Sequence, residues 1–152
     1  MTQTQSALMA GVGASIAIGM LAQLDRFSPG MAWLMAPLGA TAVLVFGVPD
    51  SPLANAKNVV LGHLITALIG VAFLQSIGPS ALGLALATGT AVSAMLLTRT
   101  THPPAGANPL LIMLTGQGWD FVLTPVLTGA IVIVLLAHLW HAFQRHCAKG
   151  IG

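Results

Sequence analysis

Charge is the first thing this chain does without. Five basic and three acidic side chains are all that 152 residues carry, whereas a soluble domain typically spends about a quarter of its residues on charge. That shortage excludes an ordinary soluble domain. Tyrosine is missing altogether and only three tryptophans occur, so the apolar mass is Ala, Leu, Val, Ile and Met. The single cysteine, Cys147, has no partner within the chain, which excludes an internal disulfide framework and a multi-cysteine metal site. The three carboxylates, Asp25, Asp50 and Asp120, all fall between apolar runs. No paired-carboxylate, Ser-His-Asp or metal-hydrolase spacing arises from them inside a membrane, so neither an enzyme nor a carboxylate-based proton pump is expected. The basic residues Arg26, Lys57, Arg99, Arg145 and Lys149 are scattered and form no nucleic-acid-binding patch.

What the chain does have is apolar runs of membrane length. A helix needs about 20 apolar residues to cross the hydrocarbon core, and residues 7–24, 58–77, 80–97 and 121–143 come close to that. The amino terminus lacks the basic leading segment of a signal peptide and reads as a first span kept in the mature protein. Two further stretches are different. Residues 31–48 are interrupted at Pro37 and Gly39, and residues 105–115 are about half the needed length.

The two odd stretches match each other. Sliding the chain by 67 residues lays PLGATAVL, from Pro37, onto PAGANPLL, from Pro104, with four of eight positions identical. The same register pairs Val59 with Val126, Gly62 with Gly129 and Leu68 with Leu135. The expected fold is therefore an all-α polytopic membrane protein, one transmembrane domain over residues 1–152. It is built from two inverted repeats, about 7–77 and 80–146, each running span, broken element, span. Of the six hydrophobic segments four are of full length. If the broken elements traverse and both termini are cytoplasmic, Lys57, Arg99, Arg145 and Lys149 lie inside and only Arg26 outside, as the positive-inside rule requires. If the broken elements only dip and return, three basic residues fall outside against two inside. The six-crossing arrangement is the better fit.

The breaks themselves suggest a site. Proline suits the first turn of a helix and pushes the residue before it to extended geometry. APLGA at 36–40 and HPPAGA at 102–107 thus read as extended chain entering a helix. Two such helix starts approaching the midplane from opposite sides would offer unpaired N–H groups and positive dipole ends to a small anion. The expected substrate-binding residues are Pro37, Gly39, Ala40, Thr41, His102, Pro103, Pro104, Ala105, Gly106, Ala107 and Asn108. The glycines leave room for close approach, and Thr41 and Asn108, equivalent in the repeat, can add side-chain donors. Kinks that merely pack helices together are the competing structural explanation of these breaks. Asn55, Lys57, Asn58, His63 and Arg99 are the candidates for a vestibule or gate, against plain positive-inside topology. His102 is the histidine nearest the proposed site and is positioned to couple protons or to cap the helix behind it.

HPPAGA at 102–107, PLGATAVLVFG at 37–47 and SPLANAKNVVLGH at 51–63 together resemble the HPP family of integral membrane proteins, over roughly residues 37–115. Asn55, Ala56 and Lys57 stand where the family more often has Gln, Pro and Arg, and Asn108 and Pro109 where it more often has Thr and Ala. The resemblance implies a nitrite-like substrate, by association with family members of photosynthetic lineages, and a fold usually described with four spans.

His138, His141 and His146 near the carboxyl end allow a metal or haem reading, but no carboxylate or second cysteine accompanies them. HLWHAFQRH at 138–146 reads more simply as the interfacial end of a span, and no cofactor is expected. The expected function is transport of a small monovalent anion, nitrite foremost, by a homo-oligomer in the bacterial cytoplasmic membrane. A passive channel for a small neutral solute and a cofactor-binding or structural membrane subunit are the alternatives.

Overall fold

Hydrophobic run length and punctuation by proline and glycine place nearly every helix in this computed structural model, which describes residues 2–149 except 29 and 31. Helix α1 spans Gln3–Phe27 and begins with a reciprocal Thr2–Gln5 capping box. Helix α2, Ala36–Ala42, carries Pro37 in its first turn and continues as a wider π turn over Val43–Gly47. A short 3₁₀ turn, Pro52–Ala54, leads to α3, Ala56–Ser76, capped by Asn55. Helix α4, Ala81–Leu97, is capped by Ser80. The second broken element is a 3₁₀ turn, Pro103–Ala107, followed by α5, Asn108–Thr115. The single turn α6, Trp119–Phe121, passes through a π segment, Val122–Leu127, into α7, Thr128–Lys149.

Among the described residues, three helical stretches are long and apolar enough to cross a membrane: Gln3–Phe27, Ala56–Ser76 and Trp119–Cys147. Four full-length spans were expected; α4 has 17 residues, because a serine cap starts it and a left-handed Arg99 ends it. The last span is also not one smooth helix. Thr124, pushed to extended geometry (φ −136°, ψ 117°) by the following Pro125, interrupts it. Likewise the second broken element starts its α-helix at Asn108 rather than at Pro103 or Pro104, since the two prolines and Gly106 wind the tighter 3₁₀ turn first.

Close approaches set the order of levels. A Cβ built on Gly13 would lie 2.6 Å from Phe46 and 2.7 Å from Trp140, so early α1, the end of the first broken helix and late α7 share one level. A Cβ on Gly129 would lie 2.5 Å from Leu38, which puts the start of α7 beside the start of α2. Trp119 Nε1 donates to Gln75 Oε1 at 3.2 Å, joining the end of α3 to the approach of α7. The six segments therefore alternate in direction, and both described chain ends lie at the same end of the bundle. Leu21, Leu38, Val59, Ile112, Val126 and Ile133 form the buried centre, whereas Leu8, Ile16, Leu86, Leu135 and Leu139 face outward. An apolar exterior around a helix bundle is what a lipid environment requires.

Candidate functional site

Where the two broken helices meet, four polar side chains are fully buried and bonded to one another. Thr41 stands one and a half turns into α2, His63 two turns into α3, His102 at the mouth of the Pro-Pro turn, and Asn108 at the start of α5. All four are 0% exposed, as is Thr66 one turn beyond His63. Gly62 makes the junction close enough: a Cβ there would lie 3.0 Å from His102 Cβ and 3.0 Å from the Thr100 carbonyl.

Thr41 Oγ1 is the hub. It lies 2.8 Å from His63 Nε2, 2.9 Å from His102 Nε2 and 2.9 Å from the Pro37 carbonyl oxygen. His102 Nδ1 lies 2.8 Å from the Leu53 carbonyl. Asn108 Nδ2 lies 3.0 Å from His63 Nδ1, 3.2 Å from the His63 carbonyl and 2.9 Å from Thr66 Oγ1. The ends of this chain fix its polarity. Leu53 O can only accept, so His102 carries its proton on Nδ1 and, when neutral, accepts at Nε2. Asn108 Nδ2 can only donate, so His63 accepts at Nδ1 and donates from Nε2. Thr41 then accepts from His63 and gives its one hydrogen to His102, which leaves the Pro37 carbonyl, a second acceptor within reach, without it. Asn108 Oδ1 is buried and without a partner among the described residues.

The structure brings some of the expected residues together here and leaves others apart. Pro37, Pro104 and Ala105 are buried at the junction, and Thr41, His102 and Asn108 are in the cluster. His63, expected at a vestibule, is instead at its centre. Gly39 and Gly106 do not line it: a Cβ at either would meet nothing within 4 Å, because both face away from the neighbouring helices. Ala40, Pro103 and Ala107 are exposed. Several N–H groups of the helix starts are also taken. Leu38 and Gly39 both donate to the Met35 carbonyl, Ala105 donates to His102 and Asn108 to Ala105, because tight first turns close on themselves.

Asn55, Lys57 and Arg99 are exposed, and Asn58 donates to the Pro52 carbonyl at 2.9 Å. Asn55 borders an open cleft of about 540 Å³ with Asp50, Ala54, His138, His141 and Arg145. His141 Nε2 donates to the Val45 carbonyl at 2.8 Å, tying α7 to the end of the first broken helix. His102 sits at the cap position of its turn, but its ring bonds elsewhere, so it does not act as a side-chain cap. No group of three or more metal-ligating side chains occurs among the described residues. Two parts of the cluster escaped sequence reasoning. Thr66 could have been found from its i+3 spacing to His63, whereas nothing in the sequence marks the Leu53 carbonyl.

The profile of the family described as "HPP, transmembrane region" matches residues 1–148. Two proteins of Dictyostelium discoideum, each named only as a transmembrane protein, are similar. One is 34% identical over 121 residues, covering 74% of this chain and 39% of the relative. The other is 33% identical over 120 residues, covering 74% and 42%. The chain thus spans about two-fifths of the length of these relatives. No solved structure matches. With its three signature motifs brought together at one buried junction and its whole bundle within the family profile, the chain belongs to the HPP family of transmembrane proteins.

Proposed function

We propose that this protein carries a small monovalent anion, nitrite or one of similar size, across the bilayer through the junction of its two broken helices. The observation that carries the reading is the buried cluster of Thr41, His63, His102 and Asn108: burying such groups is costly unless they are hydrogen-bonded to one another, and polar clusters inside a membrane bundle commonly mark a path for a solute. No carboxylate belongs to it, and the N–H and O–H groups now paired within the cluster would turn to the anion as it passes. Exposed Lys57 and Arg99 would raise the local anion concentration at the end of the bundle that holds the chain termini.

The match of residues 37–44 with 104–111, taken as an inverted repeat, would allow alternating access about this junction. Gly62 packs against the approach to the second broken helix and its repeat equivalent Gly129 packs against the first, as a two-fold relation would require. The broken helices traverse in this reading, giving six crossings with both termini cytoplasmic in a bacterial inner membrane. A homo-oligomer follows from the small size of the bundle and from small residues on its outer faces, such as Gly11 and Gly89.

Reconstitution tests it. Proteoliposomes should accumulate nitrite, and His63→Ala should abolish that uptake; leakage equal to empty liposomes with folded protein would remove the proposal. A second reading, a pore for a small neutral solute, is favoured by the unpartnered acceptor Asn108 Oδ1, which suits a solute with its own donor. Voltage separates the two, since only the anion's movement is electrogenic.

A further inference from the structure

The two buried histidines sit in one hydrogen-bonded chain yet have unequal surroundings. We propose that His102 is a proton-binding site of this protein, with the Thr41 hydroxyl as its two-way switch and His63 held neutral by Asn108. This holds whichever solute the protein moves.

The argument is one of donors and acceptors. In the neutral state the Thr41 hydroxyl donates to His102 Nε2, and His102 Nδ1 donates to Leu53 O. Let one proton bind at His102 Nε2. That nitrogen now donates to Thr41 Oγ1, and the Thr41 hydroxyl hydrogen turns to the Pro37 carbonyl, already 2.9 Å away. Every N–H and O–H in this part of the chain still has an acceptor, no heavy atom has moved, and His102 has gained one positive charge. His63 has no such freedom. A proton on its Nδ1 would point at Asn108 Nδ2, another donor, held in place by the His63 carbonyl and Thr66. The proton therefore belongs to His102.

The chain just beyond Leu53 reaches open space. Ala54 and Asn55, the next residues along, line the open cleft that also contains Asp50, His138, His141 and Arg145. The charged and titratable groups around His102 are few. From α3 it meets His63, with the rings 5.2 Å apart. Among residues close to it in sequence or on the elements packed around it, Lys57 on α3, Asp50 before the Pro52–Ala54 turn and Arg99 after α4 are all exposed, and α2 brings only Thr41. The charge gained has no buried carboxylate to face, so an anion at the junction would bind more tightly to the protonated form.

Nitrogen-15 NMR of the histidine-labelled full chain in bilayers tests this, with resonances assigned through His63→Gln and His102→Gln. At high pH the rings should show opposite tautomers, Nε2–H on His63 and Nδ1–H on His102. On acidification His102 alone should gain a second N–H. Thr41→Ser, which keeps the hydroxyl, should titrate as the wild type does. Thr41→Val removes the acceptor for His102 Nε2–H and should lower proton affinity about tenfold or more, the worth of one charge-assisted hydrogen bond. Tryptophan fluorescence confirms that each variant is folded. Identical tautomers on both rings, protonation of His63 first, or an unchanged titration in folded Thr41→Val would overturn the proposal. Because the readout is the ring nitrogen itself, a failure of nitrite transport leaves this result standing, and the reverse is equally true.

Discussion

At the scale of single residues, Asn108 is the side chain on which the cluster's order depends. Its amide donates towards three acceptors, and it fixes the tautomer of His63. Asn108→Ala leaves His63 Nδ1 and the Thr66 oxygen short of a donor in a place water does not reach. A destabilisation of about 1–3 kcal/mol is expected, read as a lower melting temperature of the purified protein. Asn108→Ala melting with the wild type would show that these contacts contribute nothing. Arg99 poses the opposite case. It holds φ +54° in the turn that ends α4, where Arg99 N–H donates to Leu96 O and Thr100 N–H to Met95 O. That turn favours glycine, because a Cβ in left-handed geometry meets its own carbonyl. Arg99→Gly should raise stability by about 1 kcal/mol, less a part returned through the freer unfolded chain. If the guanidinium also attracts anions, nitrite uptake by the same variant should fall at low salt and approach the wild type at high salt, where screening removes the difference.

At the scale of elements, the glycines separate into those that let helices touch and those that do not. A Cβ on Gly70 would lie 2.9 Å from Pro109 Cα, which is backbone and cannot yield without moving α5. A Cβ on Gly129 would meet the tip of Leu38, which can rotate. Gly70→Ala should therefore cost more than Gly129→Ala, about 1–3 kcal/mol against less, by thermal melting. Gly106→Ala should leave the melting temperature unchanged, since open space surrounds it; a large loss there would contradict the packing described. The same elements show what was readable from sequence. Run lengths and the Pro37 and Pro104 breaks placed the helices to within a few residues, because those signals are local. Thr41 and Asn108, singled out at the two breaks, do meet in one cluster, each bonded to His63. The inward side of α3 was not legible, because this helix is apolar almost all round and no polar stripe marks which way His63 points. The surroundings of Gly39 and Gly106 were not legible for a related reason: a glycine at a break looks alike in sequence whether it faces a neighbour or open space.

At the scale of the whole molecule, the direction of each segment decides whether the two broken helices form a passage or a pair of dips. Early α1 and late α7 share a level with the end of the first broken helix, and α3 runs from there to the level where Trp119 meets Gln75. Lys57, Arg99 and Cys147 then lie at one end of the bundle, and Gln117 at the other. In a chain that dips and returns, Lys57 and Arg99 would instead face the side opposite Cys147. The sole cysteine makes the distinction measurable, because it is exposed. Intact cells and inside-out vesicles treated with a membrane-impermeant maleimide should label Cys147 from one side only. In a Cys147→Ser background, Lys57→Cys and Arg99→Cys should label from that same side and Gln117→Cys from the other. With cytoplasmic termini that shared side is the interior, as the excess of basic residues there requires. Labelling of Lys57→Cys and Arg99→Cys from the side opposite Cys147 would mean that the broken helices turn back within the membrane. The cluster around Thr41 would then close a re-entrant fold and line no path through it.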